Sequence, residues 1–228
     1  MEFDRKSLRE DYHLHEIVTV CANGEEGYAV AKVICDNLRR AMAEHKTHGY
    51  DHYELIRALF KIQPRAALDA FLTGDDKTIL VGRQLIERAG QLQQNAMDEI
   101  SEAILFEWCS ENPAVRFPLS ASVISAFKLS NDQNLEGWAP IASRLVHSAP
   151  DPLAVMREFI TRFRPMMWSG SRSTILEANA NLLDHFDTQG NAALASFMVT
   201  QKEMLLKDAR SELQWETRID RDRDERFE

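Results

Sequence analysis

The 228-residue sequence has no apolar run near the roughly 20 residues that a bilayer-spanning helix requires. It also has no surplus of basic residues, since 36 Asp and Glu outnumber 27 Lys and Arg and give a formal net charge of -9. A protein whose affinity depends on neutralising many phosphates needs the opposite balance. These two deficits predict a chain without a membrane segment and argue against broad nucleic-acid binding.

Cysteine is scarce, with three residues and no CxxC pair: Cys21, Cys35 and Cys109. An odd number of cysteines inside apolar segments is typical of reduced, buried thiols rather than of a disulfide framework or a zinc site. The first residues, MEFDRKSLRED, contain no apolar core of the kind found in a secretory signal. We therefore expect a cytoplasmic protein.

Apolar residues recur at spacings of three and four in almost every readable segment, which predicts helices throughout and no strand pair. One such pattern is assigned to a single helix and consists of Leu135, Trp138, Ile141, Ala142 and Leu145. The fold class predicted from this periodicity is all-α.

Helix-breaking pairs separate the apolar segments at intervals of about 40 residues, the period of HEAT and armadillo arrays. These pairs are Asn23-Gly24, Gln63-Pro64, Asn112-Pro113, Asp151-Pro152 and Gly190-Asn191. The pattern predicts about five helical hairpins stacked as an α-α superhelix, with an additional helix in the polar stretch 75–94. Prolines tolerated in a first helical turn are expected to begin second helices at Pro64, Pro118 and Pro152.

The hairpins are expected to share one core over residues 1–207, because a single hairpin cannot bury its own apolar face. Residues 208–228 alternate acidic and basic side chains and predict a charged helical C-terminal extension.

Three segments carry a resemblance to a known group of proteins: EWCSENPAVRFPLSASVISAF, WAPIASRLVHSAPDPLAVMREFITRFRPMMWSGSRSTILEANANLLDHF and WETRIDRDRDERFE. They resemble HEAT-like helical-repeat regions at the C-termini of large bacterial multidomain proteins, some of which carry NTPase or other effector domains and are linked to defence against phage. The resemblance covers residues 95–228. It implies a scaffold or sensor role, with chemistry located in other domains.

A histidine trio, His45, His48 and His52, has spacings of three and four that would suit zinc on one helical face. Gly49 and Tyr50 interrupt that face, so the favoured interpretation is a solvated turn without metal. A metal-dependent enzyme that uses this cluster stays open as an alternative.

The segment from Trp168 to Arg172 predicts a helix start, where backbone N–H groups suit an anion and a serine suits a cap. No Walker-type GxxxxGK[ST] motif and no catalytic serine or cysteine signature occurs. We therefore expect no enzymatic activity and no cofactor.

Arginines recur near the starts or on the polar faces of the predicted second helices: Arg65, Arg116, Arg157 and Arg162. Arginine binds carboxylates and phosphates with paired hydrogen bonds, so this arginine ladder predicts a partner-binding surface. The favoured partner is a protein with an acidic surface or an effector domain or subunit. A nucleic-acid backbone is the alternative, and ordinary solvated arginines would explain the same pattern.

Overall fold

The computed structural model describes residues 6–47, 49–90, 95–129, 135–165 and 168–224. These residues form eleven α-helices and one two-stranded sheet, which confirms the predicted all-α class. Contacts divide the chain after Ile124 into two compact units, here called unit 1 and unit 2. None of the described helices is both long and apolar enough to cross a membrane.

Unit 1 contains seven α-helices within its described residues. They are α1 (Lys6–Cys21), α2 (Gly27–Ala43), α3 (Tyr53–Ile62), α4 (Pro64–Phe71), α5 (Asp76–Gly90), α6 (Glu102–Glu111) and α7 (Pro113–Ala121). Helix α1 packs against α3 and α2 packs against α4, so the first two hairpins lie one on the other. The core between them includes Ile56, Phe60 and Phe71, all fully buried.

Proline positions explain two of the helix starts in unit 1. Pro64 and Pro113 occupy the first turns of α4 and α7, where a missing backbone N–H has no helical acceptor to lose. The prediction that Pro118 begins a helix is wrong, because Pro118 lies inside α7. Its ring occupies the second turn, and Pro113 begins the helix instead.

The additional helix predicted in 75–94 is confirmed as α5. This helix approaches the end of α4 closely at Gly82, where a Cβ atom would lie 1.8 Å from the carbonyl oxygen of Phe71. Glycine is therefore required at this contact.

Unit 2 begins with a short antiparallel hairpin and continues with four α-helices in its described residues. The elements are β1 (Phe127–Leu129), β2 (Leu135–Trp138), α8 (Pro140–Ser148), α9 (Pro152–Thr161), α10 (Arg172–Leu182) and α11 (Ala192–Asp224). Phe127 pairs with Trp138 and Lys128 pairs with Gly137. The prediction of no strand pair is therefore wrong, as is the assignment of Leu135 and Trp138 to the same helix as Ile141.

Trp138 explains why the second strand is stable. Its ring contacts four phenylalanine rings at centroid distances of 4.8 to 6.0 Å, those of Phe127, Phe159, Phe163 and Phe186. Its indole Nε1 donates a hydrogen bond of 2.9 Å to the carbonyl oxygen of Leu182. Burial of this aromatic cluster outweighs the helical tendency of so short a segment.

All five predicted breaker pairs fall at helix boundaries, and the prolines of three of them, Pro64, Pro113 and Pro152, are the first residues of α4, α7 and α9. The predicted boundary between residues 207 and 208 falls inside α11, which continues from Ala192 to Asp224. The superhelical stacking of all hairpins in one domain over residues 1–207 stays a prediction.

Candidate functional site

The histidine trio does not share one helix. Helix α2 ends at Ala43, and His45 follows it with a left-handed φ of 56°. His52 ends a separate 3₁₀ turn, and its Nε2 lies 2.7 Å from the Thr47 hydroxyl oxygen. His48 lies outside the described residues. Among the residues that are described, no group of three His, Cys, Asp or Glu side chains is arranged to hold a metal ion.

A carboxylate on α4, that of Asp69, receives three hydrogen bonds from three different helices of unit 1. The donors are the Tyr28 hydroxyl at 2.9 Å, the Trp108 indole Nε1 at 2.8 Å and the Arg65 Nε at 3.1 Å. Burial would raise the pKa of Asp69, but these hydrogen bonds outweigh it and hold the pKa below its usual value. Asp69 is therefore ionised at neutral pH and ties α2, α4 and α6 together.

A second carboxylate, that of Glu111 at the end of α6, binds two of the predicted ladder arginines. Arg65 Nη2 lies 2.5 Å from Glu111 Oε1, and Arg116 Nη1 lies 2.5 Å from Oε2. Arg116 also donates to the carbonyl oxygen of Trp108 at 2.8 Å, and its guanidinium lies 4.4 Å from the centre of the Trp108 ring. We call Tyr28, Arg65, Asp69, Trp108, Glu111 and Arg116 the unit 1 network.

The unit 1 network accounts for two arginines of the ladder. The Arg116 side chain is 17% exposed and the Arg65 side chain is 34% exposed, and both are paired within the chain. Hydrogen bonds from Arg65 and then from Arg116 hold the pKa of Glu111 below its usual value. The primary role of these two arginines is therefore to join α4, α6 and α7.

The other two arginines belong to helix α9 of unit 2. Arg157 is exposed, and its guanidinium lies 5.8 Å from the centre of the Phe197 ring on α11. Arg162 follows the last turn of α9, is half-buried and borders a pocket of about 220 Å³ lined by Phe127, Phe159 and Phe163. Five helical positions separate the two arginines by about 140° around the axis, so they do not form one row.

The helix start at Trp168–Arg172, where the sequence offered either a serine cap or an anion site, has both the cap and a carboxylate of the chain itself. Helix α10 begins at Arg172 with Ser171 as its cap, and Glu216 of α11 lies against that end. The carboxylate of Glu216 accepts from the backbone N–H groups of Arg172 at 2.7 Å and Ser173 at 3.2 Å. It also accepts from the hydroxyls of Ser171 at 2.9 Å and Ser173 at 2.7 Å.

These four donors hold the pKa of Glu216 below its usual value, with the Ser173 hydroxyl as the largest cause. Arg172 strengthens the same junction through an ion pair of 3.0 Å with Glu212, one turn earlier on α11. An internal anion thus satisfies the helix N-terminus, as the macrodipole favours.

Two tryptophans stand exposed beside this junction. Trp168 is 44% exposed, Trp215 is 56% exposed and Ile219 is 40% exposed. Together with Gly170, Ser171 and Glu216 they line a surface groove of about 330 Å³, here called the tryptophan groove. The guanidinium of Arg172 lies 4.7 Å from the centre of the Trp168 ring and fixes that ring at one wall.

Sequence reasoning identified the helix start but missed the groove. Trp215 and Ile219 were assigned to the charged extension as its last apolar pair, without a binding role. The available signal was an apolar and aromatic pair on a helix otherwise rich in charge, together with a tryptophan before a Ser-Gly turn.

Two of the three cysteines, Cys35 and Cys109, are buried as predicted, whereas the prediction of a buried thiol is wrong for Cys21, which is exposed. Burial raises the pKa of the Cys109 thiol to about 11, although the Ser120 hydroxyl and Arg116 act in the opposite direction. Cys109 Sγ lies 3.3 Å from Ser120 Oγ, and both side chains are fully buried. A buried, protonated thiol is a poor nucleophile at neutral pH.

No protein-family model, curated protein or solved structure matches this chain.

Proposed function

We propose that this chain is a non-catalytic protein-interaction scaffold that receives its partner at the tryptophan groove. The observation that carries the proposal is the exposure of Trp168, Trp215 and Ile219 around a carboxylate whose hydrogen bonds are already satisfied. Tryptophan is enriched among the few residues that supply most of the binding energy at protein interfaces.

The two helices that carry the groove are joined by several polar contacts, which supports a binding role. Four hydrogen bonds to Glu216 and the ion pair between Arg172 and Glu212 fasten α11 to the start of α10. A surface held in its binding geometry loses little conformational entropy when a partner arrives. A partner that inserts apolar side chains would therefore gain from burial without first ordering the site.

A narrower role, as a sensor or scaffold in bacterial defence, is supported by the sequence resemblance alone. Partner binding by the arginine ladder stays a prediction, but fewer of its arginines are available than the sequence suggested. Arg157 is its exposed member, whereas Arg65 and Arg116 would have to leave Glu111 to bind a partner.

Site-specific photo-crosslinking in the native host tests the proposal. A benzophenone amino acid replaces Gln214, which is exposed and precedes Trp215 on α11. The matched control carries it at Glu203, an exposed position three turns earlier on the same helix. We expect a discrete crosslinked protein from position 214, abolished by Trp168→Ala, and no such product from position 203. Identical products from both positions, or none from either, would overturn the proposal.

A further inference from the structure

A pocket of about 220 Å³ lies in unit 1, between the last two turns of α2 and the first two turns of α5. It shares no residue with the unit 1 network. Helical spacings of three and four residues bring its side chains to one face of each helix, namely Asp36, Arg39, Arg40 and Ala43 on α2 and Lys77 and Val81 on α5. Three of these side chains are cations and one is a carboxylate, in a chain whose net charge is -9. The pocket is therefore a local positive region of an acidic protein.

The carboxylate of the pocket, that of Asp36, is already paired. Lys32 Nζ, which does not line the pocket, lies 2.9 Å from Asp36 Oδ2, and Arg39 Nη2 lies 3.1 Å from Oδ1. Arg39 also donates a hydrogen bond of 2.5 Å to the carbonyl oxygen of Ala70 on α4. Asp36 therefore shares its charge with two cations, and Arg39 is held at one side of the pocket before any ligand binds.

Two further cations of the pocket, Arg40 and Lys77, have no acidic partner among the described residues. Both side chains are exposed. The Arg40 guanidinium donates to the neutral amide oxygen of Asn37 at 3.3 Å, a long contact that leaves its charge unbalanced. Positive charges that line one pocket repel each other, and an anion between them relieves that repulsion. An anion is thus the ligand that the charges of the pocket favour.

The acidic residues close to the pocket in the sequence do not fill it. Glu44 Oε2 lies 2.5 Å from Lys46 Nζ. Asp75 caps the start of α5 and accepts a hydrogen bond of 2.8 Å from the Thr78 backbone N–H. Asp76 is exposed, and none of these three carboxylates lines the pocket. Because Asp75 occupies the N-terminus of α5, an anion in the pocket is bound by side chains and not by the helix end.

We propose that this pocket binds a phosphate group, carried by a small phosphate ester or free as inorganic phosphate. Arginine offers paired donors that match phosphate oxygens, and lysine adds a compact positive charge. A phosphomonoester carries about 1.5 to 2 negative charges at neutral pH, more than a carboxylate, and so suits three cations. The pocket is smaller than the roughly 300 to 1,000 Å³ of a typical ligand site, so it takes a phosphate with few further atoms. This site in unit 1 is independent of the proposed function, which concerns the tryptophan groove of unit 2.

NMR titration of the ¹⁵N-labelled full chain with inorganic phosphate and, separately, with glycerol phosphate tests the proposal. Each phosphate replaces sodium chloride at equal ionic strength, so that general screening stays constant. We expect saturable shifts of the amide signals of residues 39–43 and 77–81, with a dissociation constant of about 1 mM or lower. Tighter binding of glycerol phosphate would identify an ester as the source of the phosphate group, and tighter binding of inorganic phosphate would identify the free ion.

A double substitution tests whether the unpaired cations bind the phosphate. Arg40→Gln with Lys77→Gln removes two exposed charges without removing buried atoms and should weaken binding at least tenfold. The matched control, Lys61→Gln with Arg210→Gln, removes one exposed lysine and one exposed arginine outside the pocket and should leave the affinity unchanged. Circular dichroism of both variants checks that the helices are retained.

Three outcomes would overturn the proposal. In the first, the amide shifts grow without saturation, or appear equally with sodium chloride alone. In the second, Arg40→Gln with Lys77→Gln binds phosphate as well as the control variant does. In the third, a short single-stranded RNA shifts the same signals at lower concentration than either small ligand, which would assign the pocket to a nucleic-acid backbone instead.

Discussion

The two units each build a junction around a carboxylate, but they treat the neighbouring tryptophan in opposite ways. In the unit 1 network, Trp108 is fully buried and donates its indole N–H to Asp69. At the tryptophan groove, Trp215 is 56% exposed next to Glu216, whose hydrogen bonds come from serines and backbone instead. The first junction uses its aromatic ring to join helices, and the second leaves its rings to solvent.

The contrast separates residues that stabilise the fold from residues that are available for binding. A carboxylate that draws its donors from a buried tryptophan and from side chains on neighbouring helices joins those helices, and removing it leaves the donors unpaired. A carboxylate satisfied by a helix N-terminus leaves nearby apolar groups available. We therefore assign a structural role to the unit 1 network and a binding role to the tryptophan groove.

Replacing the two tryptophans by alanine gives the largest expected contrast. Trp108→Ala should destabilise the protein by about 3 to 5 kcal/mol, because it leaves a cavity and removes a donor to Asp69. Trp215→Ala should change stability by no more than about 0.5 kcal/mol, since its ring is mostly exposed. Urea unfolding followed by circular dichroism measures both. Equal losses would remove the distinction between the two regions.

Substitutions of Asp69 should cause the next largest loss of stability. Asp69→Ala leaves the indole N–H of Trp108 and the Nε–H of Arg65 without their acceptor, at a cost of about 2 to 3 kcal/mol. Asp69→Asn retains one oxygen as acceptor and should cost about half as much. The same urea titration distinguishes them. If Asp69→Ala unfolds at the wild-type midpoint, Asp69 does not join the helices of unit 1.

The pH dependence follows from the lowered pKa of Asp69. Its stabilising contribution is fully present above the unfolded-state pKa of about 3.9 and is lost as the pH falls through the lower folded-state value. The stability difference between wild type and Asp69→Ala should therefore be constant from about pH 7 to pH 5 and shrink below about pH 4. A difference that grows on acidification would mean that Asp69 is protonated in the folded protein.

Alanine substitutions of two ladder arginines should give the smallest difference in stability between the two units. Arg116→Ala removes bonds to Glu111 and to the Trp108 carbonyl and should cost about 1 to 2 kcal/mol. Arg157→Ala removes only a contact with Phe197 at the surface and should cost no more than about 0.5 kcal/mol. Thermal melts compare them directly. The reverse order would show that the ladder residue of unit 2 is the structural one.

The sequence predicted the helices well because their signals are local. Each breaker pair and the extra helix α5 depend on residues a few positions apart, which periodicity and turn chemistry detect. The β hairpin was not predicted because Leu135–Trp138 is only four residues long, and so short a segment fits both the helical and the strand periodicity. Its strand is stabilised by Phe159 and Phe186, which are distant in sequence.

The candidate site depends even more on contacts between residues that are far apart in the sequence. The helix start at Arg172 was predictable from Ser171, but the anion that occupies it is 44 positions away in Glu216. Likewise, nothing near Arg65 in the sequence indicates that it shares Glu111 with Arg116. Residue types identify which groups can form such contacts, and only the fold determines which ones do.

Fluorine NMR of the chain labelled with 5-fluorotryptophan measures whether Trp108 is shielded from solvent while Trp168 and Trp215 are accessible. The sequence contains four tryptophans, so four signals are expected, each assigned by a single Trp→Phe substitution. A soluble gadolinium chelate should broaden the signals of Trp168 and Trp215 in dilute protein and leave that of Trp108 sharp. If Trp108 is broadened as strongly as Trp215, or Trp215 is shielded as fully as Trp108 in dilute protein, the division between a structural network and a binding groove is contradicted.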